Sequence, residues 1–370
     1  MVESRYDVIV VGAGAMGSAA AWWLSRRGRS VLLLDRYPAG HGRGSSHGPS
    51  RIFRLGYPDA YYAALAVEAR PLWRELEEAA GTPLLEPTGS LDHGPDKEIE
   101  PIARVFDELG LPHDVLSAGQ ATDRWPGMRF DGDVVYQPDG AVIRADRVLE
   151  ALHDQARRHG GTLAMDCGRA TVERSGAGVQ VRTAGFTATA PVAVVAAGPW
   201  AADTLGGLVD LPELTVTREQ VFYFRPTSEA MRWPCFVDRS DPARYGLPTT
   251  GHGLKVGEHH TGAAVSADGR SFAGDEDGRQ RVQDYVRRAL PGLDPEPTSY
   301  ETCLYTSTRT EDFVVTRDGP LIVAAGFSGH GFKFTPLIGR LLADAAEGTE
   351  PIPIGMWSGD GGRRSDGSHL

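Results

Sequence analysis

The chain has 370 residues, 41% apolar and 24% charged, ordinary values for a globular protein with room for two structural units. Its net charge of −11 argues against a nucleic-acid partner, which wants a basic surface, but leaves open a small anionic substrate in a local basic pocket. No stretch is apolar and long enough to cross a membrane and no signal peptide is evident, so a cytoplasmic location is expected.

Residues 6–11 read as a buried strand, Gly12 to Gly17 as a glycine turn, and residues 16–27 as a helix that stops at Gly28. Ser30 to Leu34 is a second apolar strand, ending in Asp35. After a Gly/Ser/His-rich loop, Tyr62, Leu65, Ala66, Ala69, Leu72, Trp73 and Leu76 recur at helical spacing, with Pro71 expected to kink or divide the helix. Residues 84–144 read as mixed α and β. Asp146 is expected to cap a helix reaching His159, and short strands over 162–197 end at Gly198-Pro199-Trp200. Residues 214–265 are strand-rich, 280–290 helical, and strands follow near 299–306, 312–316 and 320–325. A glycine-rich loop, Gly326 to Gly331, leads into a last helix over 335–347, and the Gly/Ser/Asp/Arg-rich tail reads as disordered. Its final Ser368-His369-Leu370 faintly resembles a peroxisomal address and reads as a chance ending.

The first unit carries a G-x-G-x-x-G made by Gly12, Gly14 and Gly17, set between a strand and a helix. Such glycines let the turn close, a pyrophosphate approach the backbone, and the helix pack on the strand. The helix N-terminus offers free N–H groups to phosphate, and Asp35 can accept ribose hydroxyls. This motif does not separate NAD from FAD. FAD is favoured because no second G-x-G-x-x-G is present, and because the loop of Gly326 to Gly331 opens a helix whose N-terminus could face the pyrimidine edge of a flavin. Three cysteines, Cys167, Cys235 and Cys303, offer neither a disulfide framework nor a metal-type spacing. His259 and His260 read as strand neighbours on opposite faces, so no metal is expected there.

Several segments together resemble the monomeric sarcosine oxidase and N-methyltryptophan oxidase family of D-amino-acid-oxidase-like flavoproteins: Gly326 to Phe334, Ser46 to Arg54, Arg124 to Gly127, Gly253 to His259, and Cys303 to Phe313. The likeness runs from Tyr6 to about Gly348. It implies an α/β fold with a Rossmann-type FAD-binding domain drawn from residues 1–85, 145–213 and 306–355. A strand-rich α+β substrate domain then comes from 86–144 and 214–305, with a disordered tail over 356–370. It also implies a monomer that acts on a small amine with O2.

By the same resemblance, Cys303 matches the residue holding the flavin covalently, and Lys255 the lysine where oxygen is activated. Arg54 and Lys333 match the pair gripping a substrate carboxylate. Arg51 and His47 line the flavin, and His259, Tyr245 and Tyr305 are active-site groups. Gly198, Gly329, His330 and Gly331 join the cofactor set. Taken singly, Arg51 and Arg54 read equally as solvated charges and Cys303 as a small buried hydrophobe. Pro49, Leu55 to Asp59 and Glu258-His259-His260 depart from the family pattern near the substrate.

The activity implied is oxidation of a secondary amine acid or cyclic imino acid, with hydrogen peroxide formed and the imine product hydrolysed. A flavin dehydrogenase using another acceptor, an oxidase tailoring a secondary metabolite, a nicotinamide dehydrogenase and a non-catalytic nucleotide-binding protein stay open. Lys97, Lys255 and Lys333 are the only lysines, and two of the three fall in these motifs.

Overall fold

In the computed structural model, which describes residues 3–348, strand alternation builds two cores from one sheet. The sheet has six strands in the order Thr162–Ala164, Val31–Leu34, Val8–Val11, Val192–Val195, Leu321–Ala325 and Val314–Asp318, with only the last pair antiparallel. Both faces are covered, so its four central strands are apolar throughout rather than alternating. Val8, Val10, Leu33, Val194 and Ile322 pack on helices Ala15–Arg26, Ala60–Ala80, Ala145–Arg158 and Thr335–Glu347. Ile9, Val11, Leu32, Val195 and Val323 pack on a four-stranded sheet that contributes Val172, Val179, Val181 and Ala188.

A nine-stranded sheet carries the other half. Thr215–Phe224 lies between Ser299–Ser307 and Gly253–Glu258, followed by Arg244–Thr249, Cys235–Asp238, Ser90–His93 and Val134–Gln137. One face buries Leu91, Phe222, Phe224, Phe236, Leu254 and Val256 against Val282, Tyr285 and Val286 of helix Glu276–Ala289. By the period of two, Asp92, Val237, Tyr245 and Lys255 face the opposite way, toward the cofactor motif. A small sheet of Ser50–Phe53, Ala141–Arg144 and Leu85–Pro87 joins the halves. Strand Ala141–Arg144, expected with the substrate domain, thus pairs with the segment next to Arg54.

Two local expectations change. Helix Ala60–Ala80 runs through Pro71 undivided, started by the Asp59 side chain on the Tyr61 amide and stopped by left-handed Gly81. Its buried face, including Trp73 and Leu76, outweighs the one amide that proline removes. Asp146 lies in the first turn of helix Ala145–Arg158 rather than at its cap, which is Arg144. The acid still meets the positive end of the helix dipole. The expected tail over 356–370 lies outside the described residues. Among the described residues no helix is long and apolar enough to cross a membrane.

The first and last helices meet closely where a Cβ added to Gly339 would stand 2.4 Å from the Cβ of Ala19 and 2.7 Å from its carbonyl carbon. Gly339→Ala is therefore expected to destabilise the protein by about 1–3 kcal/mol, because backbone must shift in a packed core. Urea unfolding of the cofactor-loaded protein measures it.

Candidate active site

The glycine turn is fixed by backbone packing. A Cβ on Gly12 (φ 103°) would lie 2.4 Å from the Ala196 carbonyl oxygen, and one on Gly17 only 1.9 Å from that of Gly12. Gly17 serves helix packing and does not line the cavity, whereas Gly12 and Gly14 do. Gly14 brings no capping side chain to helix Ala15–Arg26 and its first turn holds no acid; the Ala15 amide donates to the Ser46 hydroxyl at 3.0 Å, and the positive end of the helix faces the cavity as a site for an anion. Asp35 accepts from the Ala13 amide at 2.7 Å and the Tyr37 amide at 2.9 Å. Burial alone would raise its pKa, but His41 and the two amides more than offset this and hold it below the usual carboxylate range. Asp35 therefore stays ionised, as a ribose acceptor must.

One cavity of about 1160 Å³ runs from this turn into the space beneath the large sheet, and it exceeds the roughly 300–1,000 Å³ of ordinary ligand pockets. Gly198, His47, Arg51, Cys303, Gly329, His330 and Gly331 line it, together with Lys255, His259, Tyr245, Tyr305, Arg54 and Lys333. The sequence-predicted set, Gly17 aside, is thus brought together from elements more than three hundred residues apart. The room, the acid-free helix N-terminus and the ionised Asp35 fit FAD.

In the middle of the cavity, Arg51 braces the loop before it, donating to the carbonyls of Ser45, His47 and Ser50 at 2.7–2.8 Å. His47 has Nδ1 3.1 Å from the Gly44 carbonyl and Nε2 3.0 Å from that of Thr302. Burial, with Arg51 and Arg270 beside it, pushes its pKa down to about 4, so the ring is neutral and only one of those contacts is a donated bond. Cys303 and Tyr305 share a face of strand Ser299–Ser307. Burial pushes the Cys303 thiol up, while Arg51, Lys255 and Arg270 pull it back. Lys255 is 4% exposed and donates to the Ser50 carbonyl at 3.2 Å. Burial first, then Arg51, brings its pKa down to about 7.

The inner end holds a chain of hydrogen bonds. Lys333, also 4% exposed, donates from Nζ to the Tyr57 hydroxyl and to the His330 carbonyl, each at 2.7 Å. Tyr57 meets Nδ1 of His330 at 3.1 Å, and Nε2 of His330 meets the Glu311 carbonyl at 3.2 Å. If Lys333 donates, Tyr57 donates onward, which sets the proton of His330 on Nε2. Arg54 lies over the Tyr57 ring at 4.6 Å, and its buried Nη1 has no hydrogen-bond partner. The nearest carboxylate oxygen to that atom is on Asp92, 4.0 Å away. Asp92 is committed to Arg239, at 2.6 and 2.9 Å.

Asp92, Arg239 and Tyr57 were not singled out from the sequence. No local signal marks Asp92, because Leu91 is the one apolar residue of its strand Ser90–His93; the fold nevertheless buries that strand throughout and leaves Asp92 1% exposed. The expectation for His259 and His260 is overturned. The strand ends at Glu258, and His260 takes left-handed backbone (φ 57°), which turns its ring to 4.1 Å from that of His259. Burial and His260 push His259 down to about 3, so it is a neutral hydrogen-bonding group.

A strand–glycine turn–helix, an ionised acid ending the next strand and a cavity reaching a buried cation cluster define a dinucleotide-dependent oxidoreductase. The chain belongs to the FAD dependent oxidoreductase family, whose model matches residues 7–345. It is similar to monomeric sarcosine oxidase of Bacillus sp. (strain NS-129), 31% identical over 363 residues, covering 93% of this chain and 94% of that one. N-methyl-L-tryptophan oxidase of Yersinia pestis (strain Pestoides F) is 31% identical over 366 residues, with 94% and 96% covered. Among solved structures, NikD, described as an unusual amino acid oxidase essential for nikkomycin biosynthesis, superposes with a TM-score of 0.85 at 28% identity, covering 95% and 96%.

Proposed function

We propose that this FAD-dependent oxidoreductase oxidises a secondary amine acid or a cyclic imino acid, with O2 as acceptor. The observation that carries the reading is the charge imbalance around Tyr57. Arg54, Arg239 and Lys333 surround it, and Asp92 answers mainly Arg239. Burial, Arg54 and Arg239 hold Lys333 well below its ordinary pKa, and a substrate carboxylate would reverse that by supplying the missing negative charge. Arg54 Nη1 and Lys333 are the groups to grip it. The relatives named for sarcosine and N-methyl-L-tryptophan oxidation support an N-alkylated amino acid as the class.

The bound flavin supplies the acceptor for two electrons from the substrate C–H. The chain's residues do the rest. Arg54 and Lys333 fix the carboxylate, so the adjacent carbon is presented in one orientation. Their positive charge favours the neutral amine, which oxidation requires. His259, uncharged, and the tyrosines Tyr245 and Tyr305 shape the wall opposite and add no counter-charge to the amine. Lys255 is placed to provide a positive charge where oxygen is reduced. In balance, the amine loses two electrons and two protons, O2 gains them as H2O2, and water splits the imine to a carbonyl compound and an amine. An N-methyl substrate would yield formaldehyde.

Sarcosine, N-methyl amino acids and cyclic imino acids should give peroxide and consume oxygen. Arg54→Gln should cut kcat/KM by about 100-fold or more, mostly through KM, because a buried charged contact is lost. Flavin reduction by substrate with no oxygen uptake would reassign the protein as a dehydrogenase, and an unreduced flavin across the panel would sink the proposal.

We further propose that Cys303 holds the flavin covalently. Acid precipitation should then leave the yellow colour in the pellet for wild type and in the supernatant for Cys303→Ala. Colour in the supernatant for both would remove this role.

Lys255 sets a pH dependence. With its pKa down at about 7, the ammonium is present below that pH and lost above it. The reaction of reduced enzyme with oxygen, followed by stopped flow, should slow as pH rises through about 7. Lys255→Met should lower it roughly 100- to 1,000-fold and flatten the profile.

A further inference from the structure

His259, on the cavity wall, forms a cluster with its neighbour His260 and an acid from another segment, and neither His260 nor that acid is given a part in the oxidation. His260 Nε2 lies 3.3 Å from Oε1 of Glu311. One ligand atom each from His259, His260 and Glu311 falls within 4.8 Å of the other two. Glu311 (φ 64°), like His260 (φ 57°), has left-handed backbone. Only four non-glycine residues among those described do so, and two of them face each other here. That conformation is uncommon for non-glycine residues and persists where surrounding structure enforces it.

We propose that His259, His260 and Glu311 bind a divalent transition-metal cation of the zinc or copper type at the rim of the substrate cavity. Two imidazoles and a carboxylate suit these ions, whereas an all-oxygen set would suit magnesium or calcium. His260 and Glu311 are exposed to solvent, so water completes the coordination and the ion enters freely. The three ligands come from two segments. The histidines follow strand Gly253–Glu258, and Glu311 sits in the link between Ser299–Ser307 and Val314–Asp318. His259 and Glu311 both line the cavity.

Occupancy would reach the chemistry by two routes. His259 also touches the Tyr305 hydroxyl, at 3.4 Å from Nδ1. The Glu311 carbonyl receives the far end of the chain that starts at Lys333. A bound ion would therefore hold both walls of the cavity together, and loss of turnover should follow binding.

Binding is read directly, apart from any activity, so its failure and that of the amine-oxidase reading are distinguishable. FAD-loaded protein without a histidine tag, stripped with EDTA, is dialysed against graded ZnCl2. One zinc per chain is expected, released by EDTA, and Co2+ in its place should give visible d–d absorption. His260→Ala and Glu311→Gln should each weaken zinc at least about tenfold, with the flavin spectrum and thermal midpoint kept as a control on folding. Equal zinc affinity in wild type and both variants, or no stoichiometric binding, overturns the site. Peroxide formation should fall along the same zinc curve. That readout rests on the proposed function, and full turnover at one bound zinc would overturn the coupling to the cavity.

Discussion

Like charges gathered without water are costly unless something answers them, and that constraint organises the inner end of this protein. Arg54, Arg239 and Lys333 surround Tyr57, and Asp92 is the carboxylate that faces them. Burial of an unpaired charge costs several kcal/mol even after relaxation. The fold limits the cost by fixing Arg239 on Asp92 and on the Gly56 carbonyl. It tucks Lys333 against Tyr57 and the His330 carbonyl and lays Arg54 on the Tyr57 ring. Unlike the other two, Arg54 keeps a buried donor with no partner. A carboxylate would answer that donor and the charge around it.

Neither half of the molecule could build this site alone. Arg54 and Tyr57 come from the segment after the small connecting sheet, and Asp92, Arg239 and Lys255 come from the large sheet or its edge. Lys333 arrives at the start of the last helix, whose N-terminal loop also closes the cofactor cavity. That helix packs against the first one through Gly339 and Ala19. The position of Lys333 is thus tied to the glycine turn at the other end of the chain, and the cofactor cavity and the buried cations share one rigid reference.

The parts legible in the sequence are those where local pattern and chemistry coincide. Gly12 to Gly17 and Asp35 form a motif whose spacing follows from backbone packing, and strands such as Val8–Val11 are apolar enough to mark a doubly covered sheet. Lys255 and Lys333 stood out through the rarity of lysine and the segments around them. Asp92 and Arg239 did not, since their role exists only once two strands are side by side in register. The facing of His259 and His260 was misread because the period of two holds only while the strand continues. This strand stops at Glu258, and a left-handed residue reverses the rule.

The choice of lysine at two buried positions has a physical reason beyond charge. Most of the chain's 38 basic residues are arginine, and Lys97, the lysine outside the site, has an 81% exposed side chain. A guanidinium stays charged at any relevant pH and brings five donors that burial must satisfy, whereas an ammonium is compact and can lose its proton. Arg54 shows the consequence, with one buried donor left over. Lys255 instead settles near neutrality, its pKa down at about 7, and needs only the Ser50 carbonyl. Such a group can stand beside Arg51 in a water-poor site, at low cost when neutral, and take a proton when negative charge develops nearby. An arginine there would add a permanent charge next to Arg51 and a bulkier group to the cavity wall.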